Sequence, residues 1–127
     1  MNLPRNANIA RHIGKYSDAI EIVNPKRVLY VSGTPGIDAG NGHLPDEFEE
    51  QAELAWRNVV KILATADMGV EHIVKLTQHL IRRSDLIAYR EIRARYLGAC
   101  EPASMLTFLP GLVWPGMLIE LEVVAAG

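Results

Sequence analysis

The strands that this sequence predicts are apolar on both faces, and the chain has helices enough to cover only one. In Val28-Leu29-Tyr30-Val31, Leu29 and Val31 oppose Val28 and Tyr30, because successive side chains of a strand point to opposite sides. Towards the C-terminal end, Met117, Ile119 and Leu121 oppose Leu118 and Val124. A sheet with two apolar faces needs a cover on each. The chain's own helices supply one, and another subunit is expected to supply the other.

The remaining pattern sets the element order. Asp18–Val23 alternates, Asn24-Pro25-Lys26 is a turn signal, and Val28–Ser32 reads as a second strand, so the two are expected to form a hairpin. The polar stretch 1–10 reads as an arm outside the core. Gly33–Pro45 holds several glycines and prolines and is predicted to be an irregular, functional loop. Asp46–Ala66 is the clearest helix. Phe48, Ala52, Ala55, Val59, Ile62 and Ala66 form one stripe, Asp46 is placed to cap it with Glu49 three residues on, and Gly69 stops it. His72–Ile81 alternates again, with Val74, Leu76 and Leu80 on one face interrupted by Gln78. A second helix begins at Ser84, with Leu86, Ile92 and Tyr96 at core spacing. Pro102–Leu109 and Met117–Val124 complete the strands. The order β-β-α-β-α-β-β fits a two-layer α+β sandwich in one domain spanning residues 1–127.

Composition narrows the function. The chain has 127 residues, 49% of them apolar and 22% charged, with a net charge of −2. That balance excludes a broad phosphate-neutralising surface, so no nucleic-acid partner is expected. The basic cluster Arg82, Arg83, Arg90, Arg93 and Arg95 reads as a solvated helix face. Cys100 is the one cysteine, so no internal disulfide forms. Nothing resembles a signal peptide or a membrane span, and a cytoplasmic location is expected. Phosphate-loop, dinucleotide and nucleophile-elbow motifs are absent. His12, His43, His72 and His79 lack metal-ligand spacing, so no metal is expected.

Three segments carry candidate chemistry. Glu120 and Glu122, two apart on an apolar strand, share one face. Glu122 is expected to meet solvent or an arginine. Glu120 is either similarly solvated or a pocket carboxylate that orders water as a general base. Tyr16, in Gly14-Lys15-Tyr16-Ser17, offers a ring and a hydroxyl. Ser32-Gly33 ends the second strand, and Gly33 would let the backbone approach a ligand or neighbour closely.

In this order, Gly14–Ser17, Leu29–Gly33, Gln51 with Asn58, Ile73–Thr77, Pro102-Ala103 and Ile119–Glu122 resemble the reactive-intermediate deaminase family, also called Rid or YjgF. The resemblance spans nearly the whole chain. It implies a chorismate mutase-like fold, three subunits packing their sheets into a barrel-like core, and small-molecule pockets between subunits. It also implies cofactor-free hydrolysis of imines and enamines to a keto acid and ammonia. By resemblance Glu120 positions the hydrolytic water, while Tyr16, Ser32 and Gly33 line the pocket. The family's deaminases follow Pro-Ala with an arginine that pairs with the substrate carboxylate. Here that position is Ser104, and the position two further on, often cysteine, is Leu106. A hydroxyl cannot neutralise a carboxylate, and losing such a charged contact costs about 1.5–3 kcal/mol. Arg90 and Arg93 stand where the family often has asparagine and tyrosine, and Arg90 is a candidate replacement charge. The expected function is a small-molecule hydrolase or deaminase with weak activity on ordinary imino acids. A non-catalytic metabolite sensor or partner-binding trimer is the alternative. Ribonuclease activity is disfavoured by the acidic balance and the lack of a histidine pair.

Overall fold

Apolar spacing builds the helices, and backbone pairing across the whole length of the chain builds the sheet. The computed structural model describes residues 1–127. Its strands are β1 (Asn2–Arg5), β2 (Ala19–Ile22), β3 (Val28–Pro35), β4 (Ile73–Leu80), β5 (Ala103–Phe108) and β6 (Ile119–Ala126), and its helices are α1 (Phe48–Ala64) and α2 (Leu86–Leu97). The main sheet runs β3-β6-β4-β5, with β4 and β5 parallel and the other neighbours antiparallel. Parallel neighbours need a crossover, and α2 lies in it.

The α1 stripe is as expected at Phe48, Ala52, Ala55 and Val59, all buried; Trp56 and Leu63 complete it, while Ile62 and Ala66 sit at its margin. Asp46 does not cap the helix. Glu47 occupies that position with extended backbone, and no side chain caps it. Against α1 and α2 pack Ile119, Leu121, Val123 and Ala125 of β6, with Leu76 and Leu80 of β4. Much of the opposite sheet face is open, with Tyr30 80% exposed, Met105 55% and Val28 41%, while Ala126 at one end of it is buried.

Three further expectations change. The hairpin between β2 and β3 does not form. Ala19–Ile22 pairs instead with Asn2–Arg5, so the polar arm is a strand of a separate two-stranded sheet. Backbone pairing is indifferent to side-chain polarity, and the arm is further tied by Asp18. Its carboxylate accepts the backbone N–H groups of Ala7, Ile9 and Ala10. Past Asn24, which takes a left-handed φ of 46°, Arg27 exchanges backbone hydrogen bonds with Gly127 and commits β3 to the C-terminal strand. The segment 33–45 is also less irregular than expected, because β3 continues to Pro35 through a bulge at Ser32-Gly33. Beyond it, a Cβ on Gly36 would lie 1.9 Å from the Gln51 carbonyl oxygen, so α1 packs directly on glycine backbone. Finally, α2 begins at Leu86 after a single 3-10 turn at Arg83–Asp85.

Candidate functional site

Tyr16 reaches β5 because its neighbours are stitched there. The backbone N–H of Ser17 donates to the Pro102 carbonyl at 3.2 Å. The Ser17 hydroxyl donates to the Glu101 carbonyl at 2.6 Å, and Lys15 Nζ donates to Gly98 at 3.0 Å. Tyr16 thereby stands at the mouth of an open cleft of about 350 Å³, which Arg90, Arg93, Ser104, Ile13 and Leu106 also line. Three residues singled out in the sequence, Tyr16, Arg90 and Ser104, share this cleft.

Behind it lies a residue that sequence reasoning noticed only as an interruption. Gln78 is fully buried on the helix-covered face of β4. Its Nε2 donates to Ser104 Oγ at 2.8 Å and to the Met105 carbonyl at 3.1 Å. Its Oε1 accepts from the Tyr89 hydroxyl at 2.6 Å and from Arg93 Nη1 at 2.9 Å. The amide orientation is forced. Reversed, it would set nitrogen against a guanidinium and oxygen against a carbonyl. Ser104 Oγ therefore accepts from Gln78, which leaves its own proton free to donate elsewhere. Burial pushes the Tyr89 hydroxyl well above its ordinary range, so it remains a donor. Arg93 also lies over the Tyr89 ring, 5.4 Å from its centroid.

The other candidate residues meet elsewhere. The Glu120 carboxylate rests against Gly33: a Cβ there would lie 2.6 Å from Glu120 Oε1. Glycine at the bulge therefore makes room for the carboxylate. Ser32, beside it, is exposed. Ile119 and Leu121 point into the core, so Glu120 between them faces the uncovered side. Its register partner on β4 is His79, whose Nδ1 lies 2.7 Å from Thr107 Oγ1. Glu122 is exposed on the same side, as expected. Ser104, in register with buried Leu76, faces the helices. The Ser104 and Glu120 side chains thus leave opposite faces of one sheet, while the cleft continues past the edge strand to Met105 on the uncovered face.

The remaining motif residues hold loops in place. Gln51 Nε2 donates to the Pro45 and Gly116 carbonyls, and its Oε1 accepts from the Leu118 N–H. Asn58 Nδ2 donates to the carbonyls of Pro35 and Ile37. The basic cluster divides: Arg82 pairs with Asp85, Arg95 pairs with Glu53, and Arg83 lies over Phe108. Arg90 and Arg93 face the cleft without a carboxylate partner. No group of three His, Cys, Asp or Glu side chains converges as metal ligands would. No helix is long and apolar enough to cross a membrane.

Known proteins combine the same elements. The sequence model of the endoribonuclease L-PSP family matches residues 7–127. Mouse 2-iminobutanoate/2-iminopropanoate deaminase is 32% identical over 114 residues, 89% of this chain and 82% of that protein. The RutC family protein UK114 of Drosophila melanogaster is 32% identical over 120 residues, 94% of this chain and 84% of that one. In fold, the chain is similar to YyfB of Yersinia pestis, of the conserved Rid protein family, with a TM-score of 0.84 at 24% identity over 98% of each chain. RidA of a Psychrobacter species gives a TM-score of 0.75 at 27% identity, covering 90% of this chain and 89% of that one. With the family match spanning all but the first residues and the fold shared end to end, this chain belongs to the Rid/YjgF family.

Proposed function

We propose that this protein is a cofactor-free hydrolase of small imine- or enamine-like substrates, acting in clefts completed by a second subunit of a homotrimer. The observation that carries this reading is the division of the site residues between two faces of one sheet. Tyr16, Arg90 and Ser104 line one cleft, while Gly33 and Glu120 touch on the far side. An uncovered face bearing Tyr30, Met105 and Val28 gives a second copy a reason to dock there. Relatives named as imine deaminases supply the reaction class.

In the proposed reaction Glu120 accepts a proton from a water whose oxygen adds to the C=N carbon. The nitrogen takes up a proton as the π bond breaks. Collapse of the resulting aminol expels ammonia and leaves a carbonyl, so imine and water become keto compound and ammonia. Glu120 suits the task because it makes no ion pair within the chain that would draw it from the water. Ser104 itself donates one neutral hydrogen bond where family deaminases place a guanidinium, so it does not by itself neutralise the carboxylate of an imino acid.

The test is release of pyruvate and ammonia from freshly generated 2-iminopropanoate. The expected result is a slow reaction, abolished by Glu120→Gln. Rapid turnover that survives Ser104→Ala would overturn the reading of Ser104. Turnover unchanged by Glu120→Gln would overturn the role of Glu120. A ligand that stabilises the protein yet stays chemically unchanged on long incubation would favour a sensor instead.

A further inference from the structure

Every polar side chain that borders the Tyr16–Ser104 cleft is a donor, and the cleft holds no carboxylate. Arg93 is the most constrained of them. One of its N–H groups is spent on Gln78 Oε1, its plane is braced over Tyr89, and it has no acidic partner. Guanidiniums that are partly buried without a carboxylate are costly unless something anionic arrives. Gln78 is in turn pinned by the Met105 carbonyl, so the tether fixes the guanidinium rather than following it. The same amide directs the free proton of Ser104 away from Gln78. Arg90, by contrast, is exposed and makes no ion pair. It has no such brace.

We propose that Arg93, held by Gln78 and Tyr89, is the anion anchor of the cleft and that it binds a ligand carboxylate together with the Ser104 hydroxyl. This rests on the cleft being the ligand site of the proposed function and adds the residue that supplies its positive charge. The charge is supplied from α2 rather than from β5. The carboxylate therefore sits nearer the helix layer than an arginine at position 104 would hold it. Arg93 has N–H groups to spare after Gln78, enough for a two-pronged contact with a carboxylate.

The test uses 2-oxobutanoate and its neutral amide, 2-oxobutanamide, titrated calorimetrically into the full-length protein at one fixed concentration. On the unaltered protein the acid is expected to bind at least tenfold more tightly than the amide. Arg93→Leu is expected to remove that preference, and Arg93→Lys to keep part of it. Arg95→Ala lies on the same helix but is paired with Glu53, and it should leave the preference intact. Equal binding of acid and amide by the unaltered protein, or no binding of either, would overturn the proposal even if Arg93→Leu failed to fold. So would an acid preference that survives in folded Arg93→Leu or disappears only in Arg90→Ala. The two readings fail separately. Acid preference lost in Arg93→Leu, with no imine hydrolysis by the unaltered protein, keeps the anchor and removes the catalysis. Imine hydrolysis unchanged by Arg93→Leu does the reverse.

Discussion

Replacing Gln78 by leucine tests whether the buried amide organises the cleft. The side chain is fully buried and makes four hydrogen bonds, but their loss is not felt equally. Ser104 and Arg93 border the open cleft and can turn to water. The Tyr89 hydroxyl is buried and cannot. Stranding it costs about 1–3 kcal/mol. Leucine between Leu76 and Leu80 adds apolar contact that returns about 1 kcal/mol. Gln78→Leu is therefore expected to destabilise by about 0–2 kcal/mol, read as a lower urea midpoint with unchanged slope. Protein concentration must be held fixed, since assembly would contribute. Tyr89→Phe removes the stranded group, so Gln78→Leu should cost about 1–3 kcal/mol less in that background. Identical costs in both backgrounds would refute the assignment of Tyr89 as the group at stake.

Three further outcomes follow from single contacts. Gly33→Ala should push the Glu120 carboxylate from its place, because a Cβ would lie 2.6 Å from Oε1. Imine hydrolysis should fall about tenfold or more while the urea midpoint barely moves, since a flexible side chain rather than backbone must yield. Gly36→Ala meets the Gln51 backbone carbonyl at 1.9 Å, which α1 cannot evade by a rotamer change, so it should destabilise by about 1–3 kcal/mol in the same urea assay. The Asp18 carboxyl is held below its ordinary value by the backbone N–H groups of Ala7 and Ala10. Its contribution to holding the arm is thus complete above pH ~4 and is lost as pH falls through the depressed folded value. Protection from hydrogen exchange at Ala7 and Ala10, taken against the intrinsic rate at each pH, should fall below that range, and Asp18→Asn should remove this acid dependence.

What the sequence revealed was what side-chain periodicity encodes. The α1 stripe, the alternation around Gln78 and the two-faced apolar strands all appear in the structure, because each follows from the spacing of neighbours along one element. Pairing did not show, since adjacency in sequence favours a hairpin while the actual partners of Arg27 and Ala19–Ile22 lie at opposite ends of the chain. Residues 2–5 have no pattern to read, because their backbone does the pairing. In α2, Ile92 is core as expected, whereas Tyr89 was not foreseen and Tyr96 stacks on Trp56 at 5.7 Å. The family resemblance singled out Tyr16 and Ser104, which share a cleft, and Gly33 and Glu120, which touch. It did not show that Ser104 and Glu120 leave opposite faces of the sheet, a fact of register. The Gln78–Arg93 contact joins β4 to α2, and no local pattern reports it. The one visible signal was a polar residue on an apolar face.

The central claim is that no single chain completes the site. Light scattering of the purified protein at micromolar concentration tests it most directly. A particle of roughly three times the 14.1 kDa chain mass, persisting on dilution, is what closed three-fold packing of these sheets requires. A stable particle of one chain mass that still hydrolyses imine or binds the acid probe would contradict it.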